Sequence, residues 1–133
     1  MTNALSYIAP TGTFKMPPIS SAARAGDLVF VSGTPGYDKE GRISSDFGAQ
    51  FDQAVATLDE VLQLAGSSMR SLVKVNVLLT RLHDVEEMNR RYATAFGPAP
   101  YPARTTAVVL SLPDPRMLIE IECVALATGA AAA

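Results

Sequence analysis

Residues 117–126 read MLIEIECVAL. Every odd position holds an apolar residue, while the even positions carry two glutamates among three aliphatic side chains. Successive side chains of a β-strand point to opposite faces, so this alternation predicts a strand whose odd face lies against the core. The odd face consists of Met117, Ile119, Ile121, Cys123 and Ala125, and the even face of Leu118, Glu120, Glu122, Val124 and Leu126.

Patterns in the rest of the chain predict the order strand, helix, strand, helix, strand, strand. The predicted strands are 28–32, 72–80, 105–110 and 117–126, and the predicted helices are 47–65 and 84–96. Apolar residues recur every three or four positions in the helices and form short β-rich runs in the strands. Ser44, Ser45 or Asp46 can cap the first helix, and Asp84 with Glu87 resembles a capping box for the second. Pro113-Asp114-Pro115 predicts a turn that joins the last two strands as a hairpin.

This order predicts a single α+β domain over residues 1–126, with one mixed sheet and two helices packed on one face. The Ala-rich segment 127–133 has little to bury, and we expect it to be a disordered tail. No third helix is predicted to cover the other sheet face, where we expect Leu78, Val108, Val124 and Leu126 to lie. Because large bare apolar patches usually mark interfaces, we expect an oligomer that packs through this face.

Composition excludes several classes of function. The chain has 133 residues and a net charge of −2, which argues against a phosphate-binding surface and against nucleic acid as a partner. Its one Cys and one His can form neither an internal disulfide nor a structural zinc site. We expect a cytoplasmic protein without a metal or a membrane span, because no window approaches the roughly 18 apolar residues that a span needs.

Arg104 is the candidate partner for the two glutamates. A hairpin that turns near Asp114 pairs even positions with even positions, which would place Arg104 on the same face as Glu120 and Glu122. One interpretation is a salt bridge inside an interface, because an unpaired buried charge is costly. The other is a guanidinium fork that binds a substrate carboxylate while a nearby glutamate handles water.

Weaker candidates are spread over the rest of the chain. Ser32, before Gly33, can present its hydroxyl and backbone N–H to a ligand, or it can simply end a strand. Cys123 is predicted to be an inert core residue, and His83 a solvated loop residue. The segment 33–36 lacks the spacing and the lysine of a phosphate-binding loop.

Two segments near the C-terminus carry a resemblance to a known family. The run Tyr101-Pro102-Ala103-Arg104-Thr105, followed by Ile119-Glu120-Ile121-Glu122, resembles the closing signature of the RidA/YjgF family, the reactive-intermediate deaminases. Upstream, Val31-Ser32-Gly33, the 50–66 helix, Val73-Lys74-Val75 and the segment 89–96 fall in the family's order and spacing. The resemblance covers roughly residues 17 to 126.

This resemblance implies a chorismate-mutase-like α+β fold and a homotrimer with three sites in clefts between subunits. It implies hydrolysis of carboxylate-bearing enamines and imines to 2-keto acids and ammonia, without a cofactor. Arg104 would bind the substrate carboxylate, and Glu120 would position or activate the attacking water. Ser32 and Gly33 would line the pocket, and Asn89 matches a position near the neighbouring subunit's site. The role of Glu122 stays open.

Two positions depart from the family pattern. Ile19 stands where the family has a pocket tyrosine, and Thr106 stands where it has a cysteine whose backbone carbonyl is the group offered to the substrate. These changes leave the substrate open, and a larger ring-cleavage enamine such as 2-aminomuconate is one alternative. A non-catalytic protein that binds small carboxylates is another. The endoribonuclease activity given to some members fits an acidic chain least well.

Overall fold

The computed structural model describes residues 5–129, which form one mixed sheet and two α-helices. The strands are β1 (Leu5–Ile8), β2 (Ala22–Ala25), β3 (Leu28–Pro35), β4 (Leu72–Leu79), β5 (Ala103–Val108) and β6 (Ile119–Leu126). The helices are α1 (Phe47–Leu64) and α2 (Val85–Ala95). The predicted α+β class and the six predicted elements are confirmed. β1 and β2 precede them and were not predicted, because each strand has only four residues and gives a short pattern.

The sheet order is β1-β2-β3-β6-β4-β5, and every neighbouring pair is antiparallel except β4 and β5, which are parallel. The predicted hairpin between β5 and β6 is therefore wrong. β6 lies in the middle of the sheet, between β3 and β4, while β5 forms an edge. The connection from β4 to β5 passes through α2, which is the crossover that parallel strands require.

Both helices pack on the same face of the sheet, as predicted. The odd-numbered residues of β6 face them and are buried, including Cys123. Asp46 caps α1, since its carboxylate accepts a hydrogen bond from the backbone N–H of Ala49 at 2.9 Å. The predicted capping box of α2 is wrong, because the Asp84 carboxylate makes no capping bond and is held instead by the Arg81 guanidinium.

The opposite face of the sheet, called here the open face, carries no helix within residues 5–129. Leu78, Val124 and Leu126 lie on it as predicted, because register pairs them with other outward-facing residues. Leu28 and Phe30 join them, at 40% and 45% exposure. Val108 does not, because it pairs with Leu79 and shares the helix-covered face. The open face is thus an apolar surface of the kind that protein interfaces use.

The chain is ordered beyond the predicted domain boundary. Backbone N–H groups of Ala127, Thr128 and Gly129 donate to the carbonyls of Asp27 and Gly66. The hydrogen-bonded chain therefore includes three residues that were assigned to a tail, and 130–133 lie outside the described residues. Neither helix of the described chain has the length and apolar content needed to cross a membrane.

Gln50 connects α1 to the start of β6. Its side chain is fully buried, and its amide nitrogen donates to the carbonyls of Ser44 and Arg116 at 2.7 and 2.8 Å. Its amide oxygen accepts from the Leu118 N–H at 2.9 Å. Because these bonds hold the chain two residues before Glu120, Gln50 fixes where β6 begins and which way its outward side chains point.

Replacing Gln50 with Leu is expected to lower the free energy of unfolding by about 3 kcal/mol or more. Three partly buried backbone groups, the carbonyls of Ser44 and Arg116 and the N–H of Leu118, lose their partner, and each such loss costs about 1 kcal/mol or more. Gln53→Leu on the same helix is the matched control, because the Gln53 amide makes one bond to Thr57 at 3.2 Å. Chemical denaturation at fixed protein concentration measures both. Equal losses in the two variants would contradict this account of Gln50.

Candidate functional site

Glu120 lies in a cleft of about 440 Å³ at the free edge of β3. β2 pairs only with Leu28–Val31, so the second half of β3 has no strand on its outer side. The segment 10–19 forms the opposite wall. This space, called here the Glu120 cleft, is lined among others by Pro17, Ile19, Ser32, Gly33, Tyr37 and Glu120.

A β-bulge brings Gly33 against the Glu120 carboxylate. Val31 pairs with Cys123 and Thr34 with Ile121, so two residues of β3, Ser32 and Gly33, stand opposite one residue of β6. A Cβ atom on Gly33 would lie 2.6 Å from Glu120 Oε2. Only glycine leaves the carboxylate room in this position, which gives Gly33 a direct structural reason to line the cleft.

Ser32 stands in the cleft wall with its donors already used. Its hydroxyl donates to the Ser20 carbonyl at 2.7 Å, and its backbone N–H donates to the Ser21 carbonyl at 3.0 Å. The expectation that both donors serve a ligand does not fit these bonds. The Ser32 hydroxyl oxygen can still accept a hydrogen bond from a ligand.

Burial raises the pKa of Glu120, and the negative charge of Glu122 raises it further. Within residues 5–129, no hydrogen bond or ion pair reaches the Glu120 carboxylate, whereas Glu122 accepts a bond from Asn76 Nδ2 at 3.2 Å. A carboxyl group with a raised pKa in a cleft takes up a proton more readily than an ordinary glutamate and can release it again. Glu120 therefore has the properties of a general acid or base.

The lining of the same cleft includes three further polar residues, Tyr37, Asp114 and Arg116, that were not predicted as site residues. The Tyr37 hydroxyl donates to Asp114 at 2.6 Å, and Arg116 donates to the same carboxylate from both its guanidinium and its backbone N–H. Together these donors hold the pKa of Asp114 well below its usual range. The sequence signal was weak, because Asp114 sits between two prolines and is typical of a turn.

Arg104 lies on the other face of the sheet from Glu120. It pairs with Val75, which in turn pairs with Cys123, and both partners are buried under the helices. The expectation that Arg104 shares a face with Glu120 and Glu122 is therefore wrong. It depended on a β5–β6 hairpin, and the intervening β4 changes the parity of the pairing.

The Arg104 guanidinium is held against α2 by uncharged groups. One nitrogen donates to Asn89 Oδ1 at 2.8 Å, another contacts the Met88 sulfur at 3.7 Å, and the central carbon lies 4.5 Å from the centre of the Tyr92 ring. No carboxylate among residues 5–129 forms an ion pair with it. A second, open space of about 350 Å³, called here the Arg104 cleft, is lined by Asn89, Tyr92, Ala93, Tyr101, Pro102 and Arg104.

Thr106 lines neither cleft. It lies two residues beyond Arg104 on the same helix-covered face, and its hydroxyl oxygen is buried without a hydrogen-bond partner in the described chain. Tyr92 is the residue here that sequence reasoning treated only as part of a helix face. Its spacing of three from Asn89 was the available signal, because residues three apart on a helix are neighbours.

The candidate residues thus form two groups that one chain keeps apart. Ile19, Ser32, Gly33 and Glu120 line the first cleft, and Asn89 with Arg104 lines the second. β5 and β6 are two strands apart, which is about 10 Å at the usual strand spacing, and the two functional side chains point to opposite faces. Among residues 5–129, no three His, Cys, Asp or Glu side chains come together as a metal site would require.

Comparison with known proteins assigns the chain to a family. A family model described as endoribonuclease L-PSP matches residues 14–127. A plant protein named Reactive Intermediate Deaminase A, chloroplastic, from Arabidopsis thaliana, is 40% identical over 110 residues, which are 81% of this chain and 58% of that protein. The chain belongs to the RidA/YjgF family.

Two further members extend the comparison. The mitochondrial protein mmf2 of Schizosaccharomyces pombe is 37% identical, over 81% of this chain and 86% of its own length. The crystal structure of RidA from the Antarctic bacterium Psychrobacter sp. superposes with a TM-score of 0.80 at 32% identity, over 87% of this chain and 94% of that one. The chorismate-mutase-like α+β fold expected of a RidA/YjgF protein is confirmed.

Replacing Glu122 with Gln is expected to lower the pKa of Glu120. The substitution removes a neighbouring negative charge, so ionised Glu120 becomes less costly, and the Gln amide oxygen can still accept from Asn76. Carboxyl carbon shifts followed by NMR over a pH titration measure the change. Glu86→Gln, on the exposed side of α2, should leave Glu120 unaffected. An unchanged Glu120 midpoint in Glu122→Gln would contradict the coupling.

Proposed function

We propose that the protein is a cofactor-independent deaminase that hydrolyses enamines and imines of 2-keto acids and releases ammonia. The observation that carries the proposal is that the chain contains a basic and an acidic group, and that neither forms an ion pair among the described residues. Arg104 is a guanidinium without an acidic partner in the described chain, and Glu120 is a half-buried carboxyl with a raised pKa. The 40% identity to a protein named Reactive Intermediate Deaminase A supports the same reaction class.

We further propose that the active unit is a homotrimer in which Arg104 of one subunit faces Glu120 of its neighbour. A single chain keeps these groups on opposite faces of the sheet, so a complete site needs a second copy. The apolar open face supports this arrangement, because Leu28, Phe30 and Leu126 would leave water when copies pack together. A closed cyclic assembly then forms equivalent sites at each interface.

In this site, the Arg104 fork would bind the substrate carboxylate through two parallel hydrogen bonds. An enamine first becomes an imine when its β-carbon takes a proton, which neutral Glu120 can supply. Ionised Glu120 then accepts a proton from water as the water oxygen bonds to the imine carbon. The same proton passes to the nitrogen of the resulting carbinolamine. As the carbon–nitrogen bond breaks, the carbinolamine hydroxyl gives its proton to Glu120, and the products are a 2-keto acid, ammonia and neutral Glu120.

Within this reaction class, the main alternative is a larger substrate. The Glu120 cleft has a volume within the range of pockets for drug-sized ligands, which favours a larger enamine of the ring-cleavage type as the second candidate. Cleavage of RNA, which the family model's description names, is disfavoured by the net charge of −2. The cleft lining is not basic either, because its four acids, Asp38, Glu60, Asp114 and Glu120, outnumber its three bases, Lys15, Lys39 and Arg116. The cytoplasmic location stays a prediction, since relatives include chloroplastic and mitochondrial proteins.

Two inactive variants are expected to restore activity when their subunits are mixed. Arg104→Ala should lose about 30-fold or more of the turnover of a freshly generated 2-iminoacid, and Glu120→Gln about 10²–10⁴-fold. In trimers refolded from an equal mixture, about one quarter of the interfaces combine an intact Arg104 with an intact Glu120. Ammonia release should therefore recover to about one quarter of the wild-type rate.

Controls for this experiment are trimers refolded from each variant alone and from the wild type. Sedimentation must show the same assembly in every sample. A mixture as inactive as its components would show that Arg104 and Glu120 act within one chain or not together. Full activity of either variant alone would remove that residue from the proposed chemistry.

Ile19 is expected to favour larger or more hydrophobic substrates. An aliphatic wall without a hydroxyl should accept iminoacids derived from leucine or methionine at least as well as the one derived from serine. The difference should be modest, because an apolar pocket separates substrates by only about 1–3 kcal/mol. Ile19→Tyr should shift the ratio of kcat/KM values toward the serine-derived substrate. A strong wild-type preference for the serine-derived substrate would contradict this role.

A further inference from the structure

Tyr92 of α2 lies directly beneath the Arg104 guanidinium. The central guanidinium carbon is 4.5 Å from the centre of the ring, within the range of a cation–π interaction. The ring is 5% exposed and stacks on Phe96 with centres 4.1 Å apart and planes 13° apart. A stacked, buried ring has little freedom to turn, so it offers the guanidinium a surface of constant orientation.

The neutrality of this surface matters for a carboxylate ligand. An acidic side chain in contact with Arg104 would orient it but would also compete for the same N–H donors. The three groups that hold Arg104 are the Asn89 amide oxygen, the Met88 sulfur and the Tyr92 ring, and none carries a charge. The ring attracts the cation through its face and uses none of the donors that a carboxylate needs.

The phenol hydroxyl of Tyr92, unlike its ring, does not help to hold Arg104. Its oxygen is buried and has no hydrogen-bond partner in the described chain. Burial raises the pKa of Tyr92, so the hydroxyl stays neutral and supplies no countercharge to Arg104. The ring and the hydroxyl can therefore be tested separately, since Tyr92→Phe removes only the group without a partner.

We propose that Tyr92 is a positioning residue for carboxylate recognition, and that its ring face holds the Arg104 guanidinium ready for the ligand without neutralising it. The inference rests on the proposed role of Arg104 in binding the substrate carboxylate. A residue that only filled the core would affect stability alone, whereas a positioning role also gives Tyr92 an effect on ligand affinity. It also predicts that the effect follows the electron density of the ring rather than its size.

The test measures binding of 2-oxobutyrate, a product-type carboxylate, to the assembled protein by calorimetry. Tyr92→Phe should bind it as the wild type does and should be at least as stable. Tyr92→Leu should weaken binding by about 3- to 30-fold, the range expected for loss of a cation–π contact. Phe51→Leu on α1 is the matched control, because Phe51 is as buried as Tyr92 but takes no part in the Tyr92–Phe96 stack, and this variant should lose stability but keep its affinity.

A series of fluorinated phenylalanines at position 92 gives the sharper measurement. Adding one, two and three ring fluorines weakens the negative face of the ring while its shape changes little. Affinity for 2-oxobutyrate should fall stepwise along the series, and affinity for the uncharged 2-oxobutyramide should stay constant. This series also serves if Tyr92→Leu fails to assemble. Equal affinity along the series, or equal losses of affinity in Tyr92→Leu and Phe51→Leu, would overturn the positioning role.

Arg104→Ala separates this inference from the proposed function. If Arg104→Ala abolishes 2-oxobutyrate binding and the fluorine series has no effect, the positioning role fails and the carboxylate site stands. If Arg104→Ala leaves binding unchanged, Arg104 does not bind the carboxylate, and both proposals fall together. In the Arg104→Ala background, Tyr92→Leu should cause no additional loss of affinity.

Discussion

The burial of Ile119, Ile121 and Cys123 beneath the two helices holds β6 in the middle of the sheet. Because side chains alternate along a strand, that burial forces Glu120 and Glu122 onto the open face. The Gln50 amide fixes the point where β6 begins, so the position of Glu120 along the strand is set as firmly as its direction. The bulge in β3 then places Gly33 where only a residue without a side chain leaves the carboxylate room.

Charge is distributed so that the two functional groups cannot cancel within one chain. Arg104 on the edge strand β5 and Glu120 on the central strand β6 face opposite sides of the sheet. If they were neighbours in the monomer, they would form an ion pair, and the pKa of Glu120 would fall instead of rising. The separation keeps the guanidinium available for an anion and the carboxyl available for a proton.

The same separation links function to assembly in the proposed mechanism. Apolar residues of the open face provide a reason for copies to associate, and association is what would bring Arg104 of one chain to the Glu120 cleft of another. Neutral contacts from Asn89, Met88 and Tyr92 orient Arg104 before any partner arrives. Such preorganisation lowers the entropy that ligand binding must overcome.

The sequence by itself determined the helices, the core face of β6, the exposed apolar face and the family. Each depends on a period or a motif within a short segment, as the cap of Asp46 on α1 and the buried odd positions of 117–126 show. Only the tertiary structure decided which strands are neighbours. The strand order in turn decides on which face of the sheet Arg104 and Val108 lie. Alternation states that two residues of one strand share a face, but it carries no information on the strand that lies beside them. Three features depend on contacts between residues distant in sequence, and the packing of the whole chain selects them. They are the insertion of β6 between β3 and β4, the hydrogen bonds of Gln50 and the contact of Tyr92 with Arg104.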